Sequence, residues 1–205
     1  MGSNTATLVA YAELTPVADT RGHVVVICDP PWFDERKKYK ISSAPIRTSA
    51  LEFDGGDLNY FARVLYAEAS GSLQLADKKE RDKEKSAIIN VNHFRLNRKG
   101  YPTSSYVAKT FRRVCDAPGQ FESVFAKSPK FLMSDKRKVE HLRQRECTDL
   151  TEAIEAISNF LGQGPDSNLQ YDNFRGFDPG GSGLHIGRSR FWLSDTGASM
   201  LAKIP

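Results

Sequence analysis

The sequence predicts an α+β fold that is mainly α, with a helical domain over residues 51–205 and an extended segment over residues 1–50 packed on it. Apolar residues recur at helical spacing in four segments after residue 50. Residues 1–50 hold instead a run of β-branched residues, which is typical of a strand. With 205 residues, of which 40% are hydrophobic, the chain is long enough to bury one core. We therefore expect one domain with an N-terminal β and loop extension.

The predicted strand covers His23–Cys28, which reads HVVVIC. β-Branched side chains favour an extended backbone. We expect the strand to be buried and to end at Asp29–Pro31, because proline cannot donate to a sheet ladder.

The first predicted helix lies within Asp57–Gly71, which reads DLNYFARVLYAEASG. Its apolar or small residues follow the i, i+3, i+4, i+7 spacing of one buried face, and they are Leu58, Phe61, Ala62, Leu65 and Ala69. Asp54 and Asp57 are candidate N-caps, and Ser70 with Gly71 marks the end.

Glu68 falls late on this apolar face, seven residues after Phe61 and three after Leu65. A carboxylate there loses solvation, which raises its pKa toward the range in which a general acid works near neutral pH. Its place at a helix-to-loop junction makes Glu68 the candidate catalytic residue. The alternative is an ordinary glutamate that points to water.

Three further helices are predicted, at residues 84–97, 105–115 and 150–161. The second is expected to be capped within residues 103–105, and the third by a capping box of Asp149 and Glu152. Residues 163–187 are rich in glycine, proline, asparagine and aspartate. We expect a long loop there, and such loops are often functional.

The net charge of +4 is modest, and basic residues are interleaved with acidic ones. Asp77–Lys85, which reads DKKERDKEK, alternates in sign and predicts a solvated helix end or loop. A basic cluster predicts a second solvated face, formed by Lys136, Arg137, Lys138, Arg143 and Arg145. Neither pattern favours a nucleic-acid partner, and we expect none. Nucleic-acid binding is the alternative, and salt-sensitive binding to DNA would favour it.

The cysteines and histidines argue against bridges and metals. Cys28, Cys115 and Cys147 are odd in number and widely spaced, which favours a reducing compartment and predicts no disulfide framework. The four histidines show no HExxH spacing, so a zinc amidase is not expected. We expect no metal and no cofactor.

Five segments match, in order, the motifs of a known family. They are Phe61–Gly71, Ala87–Thr103, Ala117–Phe121, Tyr171–Asn173 and Ile186–Trp192. In these segments the chain resembles the SleB/CwlJ-type cell-wall hydrolases, which read roughly LARVVYAEARGE, AVAAVILNRVKSPGFPNT, QPGQFS, a Tyr-Asn-rich segment and IGNHVFY. Order and spacing agree from residue 61 to residue 192.

The resemblance implies a lysozyme-like helical catalytic domain that cleaves peptidoglycan glycan strands with Glu68 as its catalytic acid. The residues expected to contact substrate are Tyr66, Gln120, Phe121, Glu122, Tyr171, Asn173 and His185. Gln120 and Phe121 follow a Pro-Gly turn, from which an aromatic ring can stack on a sugar. For the tyrosines and Phe121, packing in the core is the alternative.

The chain departs from the family pattern at four places, one of which is a charged insertion, Asp77–Lys85, between the Glu68 helix and the next helix. Ser72 stands where the family usually has a second glutamate, and Ser189 stands where it commonly has histidine. The family's Asn-Arg pair is Phe94-Arg95 here. We expect Arg95 to anchor helices through a buried ion pair rather than to touch substrate.

A glycosidase usually needs two carboxylates, and the best second candidate is Glu122, ahead of Glu84 and Asp82. A lytic transglycosylase needs one, because the 6-hydroxyl of the muramic acid attacks the anomeric carbon while one glutamate acts first as acid and then as base. We therefore predict cleavage of the MurNAc-GlcNAc β-1,4 bond by a lytic transglycosylase. The alternatives are a hydrolytic muramidase, and a non-catalytic module that binds cell wall or nucleic acid.

No run of 18 apolar residues occurs, so no membrane span is expected. The N-terminus lacks the basic and apolar regions of a secretory signal. We expect a protein made in the cytoplasm that acts in the periplasm or cell wall, either as an antibacterial effector of type VI secretion or as a phage-type lysin. Its expected partners are peptidoglycan, an immunity protein over the active site and a component of the secretion apparatus.

Overall fold

A computed structural model describes residues 16–18, 24–41, 52–96, 98, 107–177 and 180–195. The helices are α1 (Gly55–Glu68), α2 (Lys78–Arg95), α3 (Phe111–Cys115), α4 (Glu122–Phe125), α5 (Pro129–Met133) and α6 (Gln144–Gln163), with a 3₁₀ turn at Val139–His141. The strands are β1 (Pro16–Ala18), β2 (Val24–Val26), β3 (Lys38–Lys40), β4 (Glu52–Asp54), β5 (Asn173–Gly176), β6 (Leu184–Ile186) and β7 (Ser189–Trp192). The predicted α+β class, mainly α, is confirmed.

Helix α1 lies at the centre of the core and contacts the other five helices. The predicted apolar face is confirmed, since Leu58, Phe61 and Leu65 are all 0% exposed. At its start, Gly55 lies so close to the Asp34 carbonyl that a β-carbon would not fit there. At its end, the Ala69 N–H still donates to the Leu65 carbonyl at 2.9 Å, but the Ala69 backbone is extended, with φ −75° and ψ 157°. The helix therefore stops directly after Glu68.

The strands form three small antiparallel sheets. β1 pairs with β2, and β3 pairs with β4 so that Tyr39 faces Phe53. The third sheet has the order β5-β7-β6. It lies within and just after residues 163–187, where we predicted only a loop, and that prediction is wrong. These strands are three or four residues long, too short for an alternating pattern to stand out among the surrounding glycines.

A disulfide joins Cys28 to Cys147, with their Cα atoms 5.6 Å apart, and Cys115 is a buried free thiol. The prediction of no disulfide is therefore wrong. The bridged cysteines are 119 residues apart in sequence, so their spacing carries no sign of the pairing. The bridge attaches the N-terminal segment to α6, and Phe33 and Ile41 of that segment also belong to the core.

The charged run Asp77–Lys85 is also not simply solvated. α2 begins at Lys78 and carries Arg81 and Lys85 into the interior, where both bind Glu152 of α6. The distances are 2.6 Å from Arg81 to Glu152 and 2.9 Å from Lys85 to Glu152. A buried cation is tolerated only with such a partner. We call these three residues the Glu152 cluster.

Helix α6 begins at Gln144, six residues before the predicted start, so Asp149 and Glu152 lie inside the helix and do not cap it. Helix α3 is shorter than predicted and is capped by the Thr110 side chain. The cap predicted within residues 103–105 lies outside the described residues. The basic cluster around residues 136–145 is exposed, as predicted.

Arg95 is buried, as expected of an anchor, and its Nε donates to the Asp172 carbonyl at 2.8 Å. The neighbouring Arg98 forms the buried ion pair with the Asp172 carboxylate, at 2.6 Å. Ser194 donates to the same carboxylate through its N–H. Asp172 therefore ties α2 to the start of β5 and to the chain after β7.

Candidate active site

Glu68 is the last residue of α1 and is partly buried. The backbone N–H of Ser123, in α4, donates to its Oε1 at 2.9 Å. On another side lies Gly176 of β5, where an added β-carbon would sit 3.9 Å from the Glu68 carbonyl oxygen. Glu68 thus lies between α4 and the β5-β7-β6 sheet.

The pKa of Glu68 is raised above its ordinary value, as the sequence predicts. Burial is the main cause, because it disfavours the charged carboxylate, and the negative charge of Glu122 acts in the same direction. Hydrogen bonding by Ser123 and the positive charge of Lys130 oppose it in part. A carboxyl group of this kind keeps its proton to higher pH and can protonate a leaving group.

Lys130 of α5 brings a positive charge to this region. Its Nζ lies 4.5 Å from the centre of the Tyr66 ring and donates to the Ala69 carbonyl at 3.4 Å. Burial lowers the pKa of Lys130, and the nearby carboxylates Asp149, Glu84 and Glu68 raise it in part.

The segment Ala69–Ser72, which follows Glu68, is held by contacts from two helices. The Ser70 N–H donates to Glu84 of α2 at 2.8 Å, and the Ser72 N–H donates to Asp149 of α6 at 2.9 Å. Gly71 lacks room for a β-carbon, because the Asp149 carboxylate occupies that space. The chain directly after the candidate acid is therefore fixed by both α2 and α6.

Glu84 is a residue of this region whose role the sequence analysis missed. It is 0% exposed, and it accepts hydrogen bonds from Ser70, Arg188 and Ser189. Its position in a run of alternating charges predicted a solvent-exposed side chain. The residues that bind it lie 14 to 105 residues away in sequence, so the local pattern gives no sign of them. Ser189, one of the departures from the family pattern, thus has a carboxylate partner.

The structure places two predicted substrate-contacting residues in the core. Phe121 is 1% exposed and packs against Phe174, with ring centres 5.7 Å apart. Tyr66 is 3% exposed, and burial raises the pKa of its hydroxyl. Neither ring is available to stack on a sugar in this conformation, so both predictions of substrate contact are corrected to packing.

Gln120 and Glu122 flank Phe121 and are more accessible. Gln120 is partly buried, and its side-chain amide donates to the Pro118 carbonyl at 3.2 Å. Glu122 is exposed at the start of α4, beside the Ser123 N–H that binds Glu68. Of the predicted contact residues, Glu122 is the one whose charge acts on Glu68.

Tyr171, Asn173 and His185 belong to the sheet and the chain that leads into it. The Tyr171 ring lies 6.3 Å from that of Phe191, and Asn173 donates to Asp172 at 2.7 Å. His185 is exposed on β6, across the sheet from β5, which is the strand next to Glu68. Of these three residues, His185 lies on the strand farthest from Glu68 in the sheet order.

A separate surface pocket of about 560 Å³ runs along the first half of α1. Trp32, Tyr60 and Arg63 are among its lining residues, and Glu68 is not. Some of its charges are paired with one another, as in Lys136–Glu35 and Arg63–Asp135. This pocket is therefore distinct from the candidate site.

Among the described residues, no group of three histidine, cysteine or acidic side chains is placed to hold a metal ion. Within the same part of the chain, no helix is both long enough and apolar enough to cross a membrane. Comparison with known proteins found no matching protein family, curated protein or solved structure. The chemistry of the site is therefore inferred from its own residues.

Proposed function

We propose that the protein cleaves peptidoglycan glycan strands at the MurNAc-GlcNAc β-1,4 bond, as a lytic transglycosylase with Glu68 as its general acid and base. One observation carries this proposal: Glu68 is a partly buried carboxyl group of raised pKa, held by the Ser123 N–H. The architecture around it is compatible with a lysozyme-like catalytic domain, since a core helix ends in the acid and a small sheet flanks it. The resemblance to SleB/CwlJ-type hydrolases points to the same residue.

In the proposed reaction, protonated Glu68 gives its proton to the glycosidic oxygen as the bond to C1 of the MurNAc residue breaks. The ionised Glu68 then takes the proton of the C6 hydroxyl as that oxygen attacks C1. The products are a 1,6-anhydro-MurNAc end and a free GlcNAc 4-hydroxyl. No water is consumed, so the site needs no second carboxylate to activate one.

The neighbouring carboxylates favour this reaction over hydrolysis. Glu84 is fully buried, and each of its oxygens already accepts a hydrogen bond. Asp149 is buried and bound to the Ser72 N–H. Glu122 is the exception, because it is exposed and acts electrostatically on Glu68. Hydrolysis with Glu122 as second carboxylate is therefore the second candidate.

The Cys28–Cys147 disulfide supports action in an oxidising compartment such as the periplasm, because disulfides are rare in reducing cytosol. We propose an antibacterial effector delivered by type VI secretion, neutralised by an immunity protein that covers the Glu68 region. A phage-type lysin has the same chemistry and needs no immunity protein. Co-expression of the neighbouring gene with a periplasm-targeted form of this protein distinguishes the two, since rescue of growth is expected only for an effector.

The chemistry is tested by digesting purified peptidoglycan with wild type, Glu68→Gln and Glu122→Gln and analysing the muropeptides by mass spectrometry. We expect anhydro-muropeptides from wild type and Glu122→Gln and none from Glu68→Gln. Reducing muramic ends that disappear in Glu122→Gln would establish the hydrolase instead. If wild type releases no products, the enzyme proposal is wrong, and binding to cell wall or DNA is the remaining class.

A further inference from the structure

We infer that Glu84 is a positioning residue for Glu68: it joins the chain directly after the catalytic helix to the turn between β6 and β7. The inference deepens the proposed function, on which it rests, by assigning a role in catalysis to a residue that cannot itself touch substrate. Glu84 is 0% exposed, so whatever it does for catalysis it does through its hydrogen-bond partners.

The two oxygens of Glu84 bind two different parts of the fold. Oε2 accepts the Ser70 N–H at 2.8 Å, two residues after Glu68. Oε1 accepts the Ser189 hydroxyl at 2.6 Å and the Arg188 N–H at 3.2 Å. One side chain from α2 thus fastens the end of α1 to the β5-β7-β6 sheet.

Close packing at the turn makes this link rigid. A β-carbon on Gly187 would lie 3.0 Å from the Glu84 carboxyl carbon, so the turn backbone rests directly on the carboxylate. Gly187 also has a φ of 60°, which glycine adopts readily and other residues rarely do. The same sheet approaches Glu68 at Gly176. A β-carbon added to Gly176 would lie 3.9 Å from both the Glu68 carbonyl oxygen and the Ser189 hydroxyl.

These contacts converge on the backbone that carries the acid. A general acid must hold its proton within hydrogen-bond reach of the leaving oxygen, and misplacement by about 1 Å can cost roughly 100-fold in rate. Because Glu84 fixes the chain two residues from Glu68 against the sheet that flanks it, loss of Glu84 is expected to slow the chemical step. Substrate binding is expected to change little.

The chain offers a matched control in Glu152. It too is a buried carboxylate that accepts hydrogen bonds, although its donors are the charged side chains of Arg81 and Lys85, which lie on α2 as Glu84 does. Its bonds join α2 to α6 and do not reach the segment after Glu68. Glu152→Gln therefore reports what the loss of a buried carboxylate does to stability alone.

The test compares wild type, Glu84→Gln, Ser189→Ala and Glu152→Gln on glycan strands made soluble by an amidase, with rates measured at saturating and limiting substrate. For Glu84→Gln we expect kcat to fall at least about tenfold and KM to stay within about twofold. Ser189→Ala is expected to lower kcat less. A double variant that combines Glu84→Gln with Ser189→Ala is expected to lower kcat no more than Glu84→Gln alone, since both changes remove one contact. Glu152→Gln is expected to lower the melting temperature but leave kcat unchanged.

Each outcome bears on the inference. The inference is overturned if Glu84→Gln keeps the wild-type kcat. It is also overturned if the activity of Glu84→Gln falls only in proportion to the fraction of unfolded protein, which is the behaviour expected of Glu152→Gln. If Glu84→Gln does not fold, Ser189→Ala decides, and an unchanged kcat in that folded variant overturns the inference. An inactive wild-type enzyme would instead refute the proposed function, so the two failures are distinguishable.

Discussion

The Cys28–Cys147 disulfide makes a quantitative prediction about stability. The bridge closes a loop of 119 residues, and restricting a loop of that length in the unfolded chain corresponds to about 5 kcal/mol at 25 °C. For a domain of this size, 1 kcal/mol shifts the melting temperature by roughly 2–4 °C. Cys28→Ala/Cys147→Ala is therefore expected to melt roughly 10–20 °C below the oxidised wild type.

The measurement is thermal unfolding followed by circular dichroism, with and without reductant. Cys115→Ala is the control, because Cys115 is a buried thiol that takes no part in the bridge. The melting temperature of this variant should depend on reductant as that of wild type does. Alkylation of the denatured, unreduced protein should label one thiol, and all three cysteines after reduction. Three labelled thiols without reductant, or equal melting temperatures for oxidised and reduced wild type, would refute the bridge.

Three other predictions concern the site. Because the pKa of Glu68 is raised, activity should fall as pH rises through that pKa. At pH 7 Glu68→Gln should raise the melting temperature, because it removes a buried charge, whereas below about pH 4.5 the wild-type carboxyl is also neutral and no increase is expected. Melting curves across this pH range check the sign. Lys130→Met should move the alkaline limb of the pH–rate profile to higher pH, because the lysine charge lowers the Glu68 pKa, whereas the exposed Lys109→Met should leave it in place. Phe125 is 82% exposed on α4, the helix whose Ser123 N–H binds Glu68, and it should stack on sugar, so Phe125→Ala should lower kcat/KM by up to about tenfold at an unchanged melting temperature. A loss as large in Ile27→Ala, at another exposed apolar residue, or none in Phe125→Ala, would contradict this role.

The parts of the fold that could be predicted are those with a local signal. The apolar face of α1 repeats over fourteen residues, which is long enough for the helical period to be unambiguous and to place Glu68 at its end. Its burial and the direction of its pKa shift followed from that placement. Of the later helices, α2 and α6 were recognised with wrong starts, because each begins in a run of polar residues without an apolar period, and the short α4 and α5 were not predicted.

The parts that could not be predicted depend on pairs far apart in the chain. Arg81 and Glu152 are 71 residues apart, and Glu84 and Ser189 are 105 apart, so each charged residue looked solvated when read with its neighbours. Phe121 follows a turn, where an aromatic ring has no local pattern that separates packing from sugar contact. The third sheet has strands of three and four residues, below the length at which alternation is informative.

The sequence by itself determined the fold class, the central helix and the position of one desolvated carboxylate at its end, because these follow from a periodic pattern within one segment. Only the tertiary structure decided what surrounds that carboxylate: the Ser123 N–H that binds it, the Glu84 link to the sheet and the disulfide. The physical reason is that hydrogen bonds and covalent bridges form between groups that folding brings within about 3 Å, whatever their separation in the chain. No local pattern of residues records that proximity.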